Sequence, residues 1–397
     1  MAVDLTVEIA GVKFKNPIWV ASSELAGSLD NTFRAITSGA GGVILKSIAD
    51  NPRYNDPRIT RWRVLDENYR WCRGKVPRNF TMYSRGGPAQ HPDVFLRDIE
   101  QKKKWARENN VVLIGSIAES NTQAWVRAAE LIAAQDIPMI ELNFGSPHAE
   151  VSEKTTGMEL GQDINKIKEI TSAVARAVPL PLIVKLTQQV VDMVETAGAA
   201  REAGAVGVTV SNRHSGFLVD VDTGKPYLSG PAGVGGPWVK PLTMGWVYKI
   251  YSRLQMPVTA SGGASDWKDA AGFLLAGATA VQYCSSVIVK GYQTINRAVA
   301  GLEGYLDQKG YSSVVEMVGS AARAAIPYKE ILDLPRERAV ATEPELCHDC
   351  GICLERCLFG AISQQDKGVS ISDQRCVGCG LCVAVCPSPG ALELVPR

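Results

Sequence analysis

The chain has 397 residues, 46% of them hydrophobic, and its 42 Lys and Arg residues nearly balance 41 Asp and Glu residues. A net charge of +1 offers no broad basic surface to a polyanion, so we expect no nucleic-acid partner. Even the apolar stretch 273–289 is interrupted by Gln282, Tyr283, Ser285 and Ser286, so we expect no membrane span. The first residues, MAVDLTVEIAGVKF, lack the features of a secretory signal, which predicts a cytoplasmic protein.

The first 326 residues alternate short β-branched runs with longer amphipathic stretches, a pattern typical of βα units around a parallel sheet. Eight strands are predicted, at 18–22, 42–46, 111–117, 139–143, 182–186, 207–211, 258–261 and 280–284, with helices such as 122–134, 164–177, 190–203 and 267–276 between them. Eight units favour an α/β fold of the (β/α)8 barrel type over residues 1–326. The alternative is a doubly wound sheet, which normally carries a GxGxxG turn after its first strand, and residues 22–27 do not supply one.

Polar residues collect where these predicted strands end. The strand ends carry Ser22, Lys46, Asn143, Lys185, Asn212, Ser261-Gly262-Gly263 and Cys284-Ser285-Ser286. In barrels of this type the chemistry lies at the carboxyl ends of the strands, and the loops after strands seven and eight commonly bind phosphate. Each polar group taken singly is as consistent with a satisfied structural role. Together they predict a site, with phosphate near the Gly262-Gly263 turn.

A change of composition marks the end of the barrel. The segment 327–342 is charged and bounded by proline, which predicts a linker, and residues 343–397 form a second small domain. This domain holds eight of the ten cysteines in two copies of the spacing CxxCxxCxxxC: Cys347, Cys350, Cys353 and Cys357, then Cys376, Cys379, Cys382 and Cys386.

That spacing is typical of bacterial two-cluster ferredoxins, in which the fourth cysteine of each run ligates the other cluster. It predicts two [4Fe-4S] clusters, one on Cys347, Cys350, Cys353 and Cys386, the other on Cys376, Cys379, Cys382 and Cys357. Structural zinc is the alternative, but it usually takes two separated CxxC pairs. A disulfide framework belongs to small secreted chains. Leu358 stands where the bacterial pattern has proline after the fourth cysteine, a minor departure because proline is no ligand.

The whole chain resembles the dihydroorotate and dihydropyrimidine dehydrogenase family, and with its tail it is most similar to the half of dihydropyrimidine dehydrogenase that carries FMN and iron-sulfur clusters. The resemblance rests on motifs that occur in order along the chain: 9–17 (IAGVKFKNP), Ala21-Ser22, Leu45-Lys46, Glu141-Leu142-Asn143, Pro147-His148, Gly161-Gln162-Asp163, 184–187 (VKLT), Ser211-Asn212, Ser215-Gly216 and 261–263 (SGG).

The resemblance implies roles for individual residues. Ala21, Ser22 and Lys46 would line the isoalloxazine ring of FMN, with the positive charge of Lys185 at its pyrimidine end. The ribityl chain and phosphate would lie on Ser211, Asn212, Gly235, Gly262, Gly263, Cys284 and Ser285. A planar, amide-rich substrate ring would bind Asn79, Asn143 and Asn212, and Asn143 also belongs to the flavin set. Asparagine suits this task because its side chain offers a donor and an acceptor together.

Three positions depart from the family pattern. Ser146 stands where the family usually has a catalytic cysteine, although one branch uses serine, and a serine base needs a relay such as His148 or Thr155. The alternative for Ser146 is a turn cap before Pro147. Thr81 replaces a glutamate and Arg213 a small hydroxyl residue, which favours an anionic or carbonyl-rich ligand if Arg213 faces the site; a surface arginine is the alternative.

The predicted activity is hydride transfer between FMN and one carbon of a ring C=C bond, with proton transfer at the neighbouring carbon through Ser146. The clusters would exchange single electrons with an FAD-bearing NAD(P)H reductase subunit or a ferredoxin, in a homo- or hetero-oligomer. Three alternatives remain: the same cofactors acting on an enoate, a diene or a carboxylated ring; a non-catalytic electron-transfer subunit; and a barrel without flavin.

Overall fold

A computed structural model describes residues 3–50, 60–86, 89–147 and 157–397. The chain divides into two compact units, residues 1–324 and residues 325–397. No helix within the described ranges is both long enough and apolar enough to cross a membrane.

The described residues form twenty strands. They are β1 Val7–Ile9, β2 Val12–Phe14, β3 Ile18–Val20, β4 Gly42–Ile44, β5 Arg61–Leu65, β6 Thr81–Arg85, β7 Val112–Ile117, β8 Ile140–Asn143, β9 Leu182–Lys185, β10 Gly207–Val210, β11 His214–Gly216, β12 Val219–Asp220, β13 Lys225–Pro226, β14 Ala232–Gly235, β15 Val258–Ser261, β16 Ala280–Tyr283, β17 Glu337–Ala341, β18 Ile362–Gln364, β19 Val369–Ile371 and β20 Leu392–Pro396.

The same residues form sixteen α-helices. They are α1 Leu29–Thr37, α2 Pro92–Arg97, α3 Ile99–Glu108, α4 Thr122–Ala133, α5 Met158–Gln162, α6 Ile164–Ala177, α7 Met193–Glu202, α8 Lys240–Leu254, α9 Trp267–Leu275, α10 Ser285–Lys290, α11 Gln293–Lys309, α12 Val314–Met317, α13 Ser320–Ala324, α14 Tyr328–Ile331, α15 Ile352–Arg356 and α16 Leu381–Val385. Short 3-10 turns lie at Glu24–Ala26, Pro237–Val239 and Pro344–Leu346.

The larger unit is a closed barrel of eight parallel strands in the order β3-β4-β7-β8-β9-β10-β15-β16, with β16 returning to β3. All eight predicted strands are present, so the predicted barrel is confirmed. Strands β3, β9, β10, β15 and β16 are buried at every position, as expected for strands covered on both faces.

Side-chain caps set where the helices of the barrel begin. The Asp163 carboxylate accepts hydrogen bonds from the backbone at the start of α6, and Asp266 and Asp269 form a capping box on α9. Asp192 caps α7 in the same way, so this helix begins at Met193 and not at residue 190 as the apolar pattern predicted. An aspartate at this position satisfies backbone N–H groups that have no partner within the helix.

Four further strands of this unit form an antiparallel sheet in the order β11-β14-β6-β5, which we call the accessory sheet. The sequence did not predict it. Its strands come from loops that follow different barrel strands, and two of them, β11 and β14, are rich in glycine. Their pairing is long-range, with Gly235 opposite Met82, for example, which local sequence pattern does not report.

The smaller unit contains the antiparallel pairs β17–β20 and β18–β19 and the helices α15 and α16. Strand β17, Glu337–Ala341, lies within the segment that was predicted to be a linker, and it pairs along its length with β20, Leu392–Pro396. The charged residues Glu337 and Arg338 favoured a linker, yet backbone hydrogen bonds to a strand more than 50 residues away make this segment part of the second unit.

Candidate functional site

A cavity of about 1370 Å³, open to solvent, lies at the carboxyl ends of the barrel strands. The barrel contributes Ala21, Lys46, Asn143, Lys185 and Ser261, each at or just beyond the end of a strand. The accessory sheet contributes a second set of lining residues: Trp62, Met82, Ser84, His214, Val234 and Gly235. Residues from both sheets therefore meet around one space.

Most of the predicted site residues line this cavity: Ala21, Ser22, Lys46, Asn143, Ser146, Lys185, Ser211, Asn212, Arg213, Gly235, Gly262, Cys284 and Ser285. The proposed relay residues His148 and Thr155 lie outside the described residues. Three of the predicted residues are placed elsewhere. Asn79 is exposed in the segment before β6, Thr81 is buried within β6, and Gly263 packs behind the cavity wall.

The position of Thr81 follows from strand alternation. Met82 and Ser84 line the cavity, whereas Thr81 pairs with Leu65 and belongs, with Tyr83, to the opposite face of the accessory sheet. Because successive side chains of a strand point to opposite faces, a shift of one residue moves a side chain out of the site. The resemblance identified the segment but not its orientation.

Gly263 has a structural reason to be glycine. Its φ of +103° is one that side chains with a Cβ rarely adopt, and an added Cβ would lie 2.5 Å from Lys240 Cα at the start of α8. The neighbouring Gly262, with φ of +110°, lines the cavity and leaves its backbone open to a ligand. Of the two glycines, Gly262 is therefore the one that borders the cavity.

Two asparagines form a hydrogen-bonded chain across the floor of the cavity. The Asn212 amide donates to Asn143 Oδ1 at 3.0 Å, and the Asn143 amide lies 3.3 Å from Ser47 Oγ. Ser47 in turn contacts the hydroxyls of Ser116 at 2.8 Å and Ser22 at 3.2 Å. Ser47, which sequence reasoning missed, therefore connects the first three barrel strands to the asparagines and fixes how the amides are presented to a ligand.

Lys46 forms an ion pair with Glu24, whose Oε1 lies 3.0 Å from the lysine Nζ. Burial alone would raise the pKa of the Glu24 carboxyl, but the charge and hydrogen bond of Lys46, a backbone N–H and the charge of Arg213 outweigh it and lower the pKa to about 2. Both side chains line the cavity, so its wall carries a fixed carboxylate that the sequence analysis did not identify.

Arg213 faces the cavity, which resolves the two alternatives left open by the sequence. Its Nη1 donates to the backbone oxygen of Ser84 at 3.3 Å and also to the Ser84 hydroxyl. The guanidinium lies against Gly233, where an added Cβ would be 3.0 Å from Arg213 Cζ. The small residues of β14 therefore make room for the arginine side chain.

The Lys185 ammonium lies at the cavity floor and contacts Glu141 Oε1 at 3.3 Å and Gln282 Oε1 at 2.9 Å. Both partners are buried inside the barrel. Sequence reasoning treated Glu141 only as part of a motif and did not identify Gln282, because their pairing requires strands β8, β9 and β16 to converge inside the closed barrel.

Cys284 also lines the cavity, with a buried thiol in place of a charged group. Burial raises the pKa of its thiol above the usual value, and the charge of Arg213 and a Ser23 hydrogen bond offset this only in part. A thiol that remains protonated is a poor nucleophile. Burial therefore favours the neutral thiol of Cys284, and the side chain forms part of the cavity wall.

The smaller unit contains two cysteine-lined cavities. One is lined by Cys347, Cys350, Cys353 and Cys386, and the other by Cys357, Cys376, Cys379 and Cys382. Each therefore combines three cysteines of one run with the fourth of the other run. The backbone N–H groups of Ala361 and Ala339 point to the sulfurs of Cys357 and Cys376 at 3.3 and 3.4 Å. None of the ten cysteines is in a disulfide bond.

Comparison with known proteins agrees with both units. A family model described as dihydroorotate dehydrogenase matches residues 4–306, and one described as a 4Fe-4S dicluster domain matches residues 346–389. The chain is 34% identical over 322 residues to the catalytic subunit of dihydroorotate dehydrogenase B (NAD(+)) of Pyrococcus abyssi, covering 80% of this chain and 99% of that protein.

A second relative also extends over the cysteine-rich unit. The chain is 30% identical over 375 residues to the NAD-dependent dihydropyrimidine dehydrogenase subunit PreA of Escherichia coli K12, covering 90% of this chain and 86% of the relative. With a family model that spans three quarters of the sequence, the chain belongs to the dihydroorotate and dihydropyrimidine dehydrogenase family of flavin-dependent oxidoreductases acting on CH–CH groups, and it carries a 4Fe-4S domain at its C-terminal end.

Proposed function

We propose that this protein is an FMN- and iron-sulfur-dependent dehydrogenase that acts on a C=C or CH–CH bond of a planar ring and exchanges electrons with a partner through two [4Fe-4S] clusters. The observation that carries the proposal is the meeting of Asn143, Ser146, Lys185 and Asn212 in one strand-end cavity. These side chains offer amide hydrogen bonds, a hydroxyl and a cation to a ring and a flavin, and the same chain holds two cysteine-lined cavities.

The residues that line the cavity suit FMN in their chemistry. Ala21, Ser22, Lys46 and Lys185 would hold the isoalloxazine, and the ribityl phosphate would lie on Ser211, Asn212, Gly235, Gly262, Cys284 and Ser285. When bound, FMN supplies two-electron hydride chemistry. The positive charge of Lys185 favours electron-rich states of the ring, which is the contribution expected of a cation at this place.

Two clusters are proposed because the cysteines form two sets. Cys347, Cys350, Cys353 and Cys386 would hold the first cluster, and Cys376, Cys379, Cys382 and Cys357 the second. Such clusters transfer single electrons, and their reduction potential depends on the charge and the hydrogen bonds around their sulfurs. Reduced cysteine ligands are consistent with a cytoplasmic location.

Ser146 is the group proposed to move a proton at the substrate carbon that lies next to the site of hydride transfer. Ser146 lines the cavity from the loop after β8, three residues beyond Asn143, which would hold the ring. A hydroxyl is a weak acid or base unaided, so a relay is needed, and His148 is the proposed partner. Asn143 and Asn212 would bind the substrate amides; the geometry gives no support to Asn79 or Thr81 in this role.

A second candidate substrate class is favoured by Arg213. The arginine faces the cavity, and a guanidinium binds carboxylates and carbonyl oxygens through several donors at once. A carboxylated ring or an enoate would pair its negative charge with this group, whereas neutral uracil offers carbonyl oxygens but no charge to pair. The two relatives, a dihydroorotate dehydrogenase and a dihydropyrimidine dehydrogenase, are named for one carboxylated ring and one ring without a carboxylate.

The electron partner is proposed to be a separate FAD-bearing NAD(P)H reductase subunit or a ferredoxin. The relatives are named as subunits of NAD-dependent enzymes, and this sequence has no GxGxxG turn after its first strand. A homo- or hetero-oligomer follows from this arrangement.

The proposal is tested by anaerobic isolation followed by quantification of FMN, iron and acid-labile sulfide. One FMN and two clusters per chain are expected. The reduced protein is then mixed with uracil, thymine, orotate and an unsaturated carboxylate ring, and flavin reoxidation is followed by absorbance. Reoxidation by one compound in a stereospecific manner supports the dehydrogenase. Loaded protein that no ring compound reoxidises, but that passes electrons to a dye, would identify an electron-transfer subunit, and flavin-free protein would refute the FMN site.

A further inference from the structure

A closed network of polar side chains fills the barrel interior below the cavity. Its members are Glu141, Lys185, Thr209, Thr259 and Gln282, from five different strands. Glu141 and Thr209 are 0% exposed and Lys185 is 4% exposed. Among the five, Lys185 is the one that lines the cavity, so whatever occupies the cavity meets the network through its ammonium.

The hydrogen bonds of the network have a single consistent direction. Gln282 accepts from Lys185 through Oε1 at 2.9 Å and donates through Nε2 to Glu141 Oε2 at 2.9 Å. The reverse amide orientation would place its NH2 group against an ammonium and its oxygen against a carboxylate, so the two charges fix the orientation of Gln282. Thr209 donates to the same carboxylate oxygen at 2.8 Å, and Thr259 lies 2.7 Å from Thr209.

The two charges of the network lie at different depths in the barrel. The cation is at the cavity floor, and its counter-charge, Glu141, lies deeper and is fully buried. In the low-dielectric interior the two opposite charges attract each other and hold each other in place. The electrostatic potential in the cavity is therefore that of the Lys185 charge, reduced by the negative charge of Glu141 behind it. This net potential changes the stability of any bound group that gains or loses charge.

We infer that Glu141, held by Gln282, is a positioning residue that fixes the Lys185 ammonium at the cavity floor and offsets its charge, and that this balance sets the reduction potential of the flavin. The inference rests on the proposed FMN site. Addition of electrons makes the flavin more negative, so a stronger net positive charge favours the reduced form and a weaker one favours the oxidised form.

The test compares reduction potentials in Glu141→Gln, Lys185→Met and the double variant, each first checked for FMN content. Glu141→Gln should raise the ratio of reduced to oxidised flavin at a fixed potential by about tenfold, or about 30 mV for two electrons. Lys185→Met should lower this ratio, and the double variant should cancel most of the rise. Thr259→Val removes a hydroxyl of the network without changing its charge and should leave the ratio within about twofold.

The outcomes separate this inference from the proposed function. Wild-type protein without flavin would refute the FMN site itself. Flavin-loaded Glu141→Gln with an unchanged or lowered potential, or a double variant with the potential of Glu141→Gln, would overturn the role of Glu141. If Glu141→Gln does not fold, the double variant is compared with Lys185→Met, because these two variants differ only in the Glu141 carboxylate. The double variant should have the higher reduction potential, and equal potentials would refute the inference.

Discussion

The guanidinium of Arg213 donates to the backbone oxygen of Ser84, 3.3 Å away, and so joins the end of a barrel strand to the accessory sheet. This contact holds the arginine at the cavity wall. The glycine at position 233 permits the approach, because a Cβ there would lie 3.0 Å from Arg213 Cζ. Arg213, which departs from the family pattern, is therefore held in the cavity wall by specific contacts.

Replacement of Arg213 by Met should weaken binding of an anionic ring such as orotate by about tenfold to hundredfold, since a charge-assisted hydrogen bond contributes about 1.5–3 kcal/mol. Affinity for neutral uracil should change by less than about threefold. Perturbation of flavin absorbance on titration with each ligand measures both. Arg61→Met, on an exposed residue at the edge of the accessory sheet, is the control. Equal losses for the two ligands would contradict the assigned role.

Ser146→Ala should lower turnover by about 10²-fold or more, with FMN content unchanged, because the variant loses the proposed proton-transfer group. Ser146→Cys is the matched variant, since it keeps a group able to exchange a proton and should retain more activity than alanine. Turnover is measured with the substrate identified in the panel. Full activity in Ser146→Ala would favour a turn-capping role for the serine.

The Glu24–Lys46 pair predicts a dependence of stability on acid pH. The carboxyl pKa is lowered from 4.5 to about 2, so the pair contributes stability above about pH 4.5 and loses it as the pH falls towards 2. With Glu24 28% exposed, we expect about 2 kcal/mol after allowance for solvent screening.

Urea denaturation of wild-type protein and of Glu24→Gln at pH 7 and pH 3 tests this. Wild type should be the more stable at pH 7, and the difference in free energy of unfolding should shrink at pH 3. Glu303→Gln is the control, because that carboxylate is exposed on α11 and outside the cavity. A difference that stays constant with pH would show that the effect arises from packing and not from charge.

The crossed cysteine sets make a prediction about double variants. Cys347 and Cys386 line one cavity, so Cys347→Ser/Cys386→Ser should disturb one cluster and retain about half of the iron. Cys376→Ser/Cys386→Ser touches both cavities and should lose most of the iron. Iron content and the electron paramagnetic resonance of the reduced protein report the result. The opposite pattern would mean that each run holds its own cluster.

The barrel was predictable because its strands are local patterns. Runs such as 182–186 (LIVKL) and 258–261 (VTAS) are short, contain β-branched residues and are separated by amphipathic helices, so each can be recognised without its neighbours. The cysteine spacing was equally local. The accessory sheet was not predicted, because its strands are short, two of them contain glycine, and they pair across distances in sequence that no local pattern encodes.

The sequence predicted many residues of the candidate site but not the contacts between them. The resemblance pointed to Lys46, Lys185 and Arg213 but not to the carboxylates that face two of them, Glu24 and Glu141. A charge in a sequence gives no sign of its partner when the two are 22 or 44 residues apart. The face on which Thr81 lies was missed for a related reason, since alternation in a strand depends on a register set by its neighbour.

By itself, the sequence determined the barrel, the cysteine-rich second unit and the strand ends at which polar groups collect, because periodicity and spacing are properties of short segments. Only the tertiary structure decided that Arg213 faces the cavity, that Thr81 lies on the opposite face of its strand from Met82, and that Lys185 is backed by Glu141. These facts depend on distances between segments far apart in the chain, which are set when the barrel closes and the strands of the accessory sheet pair.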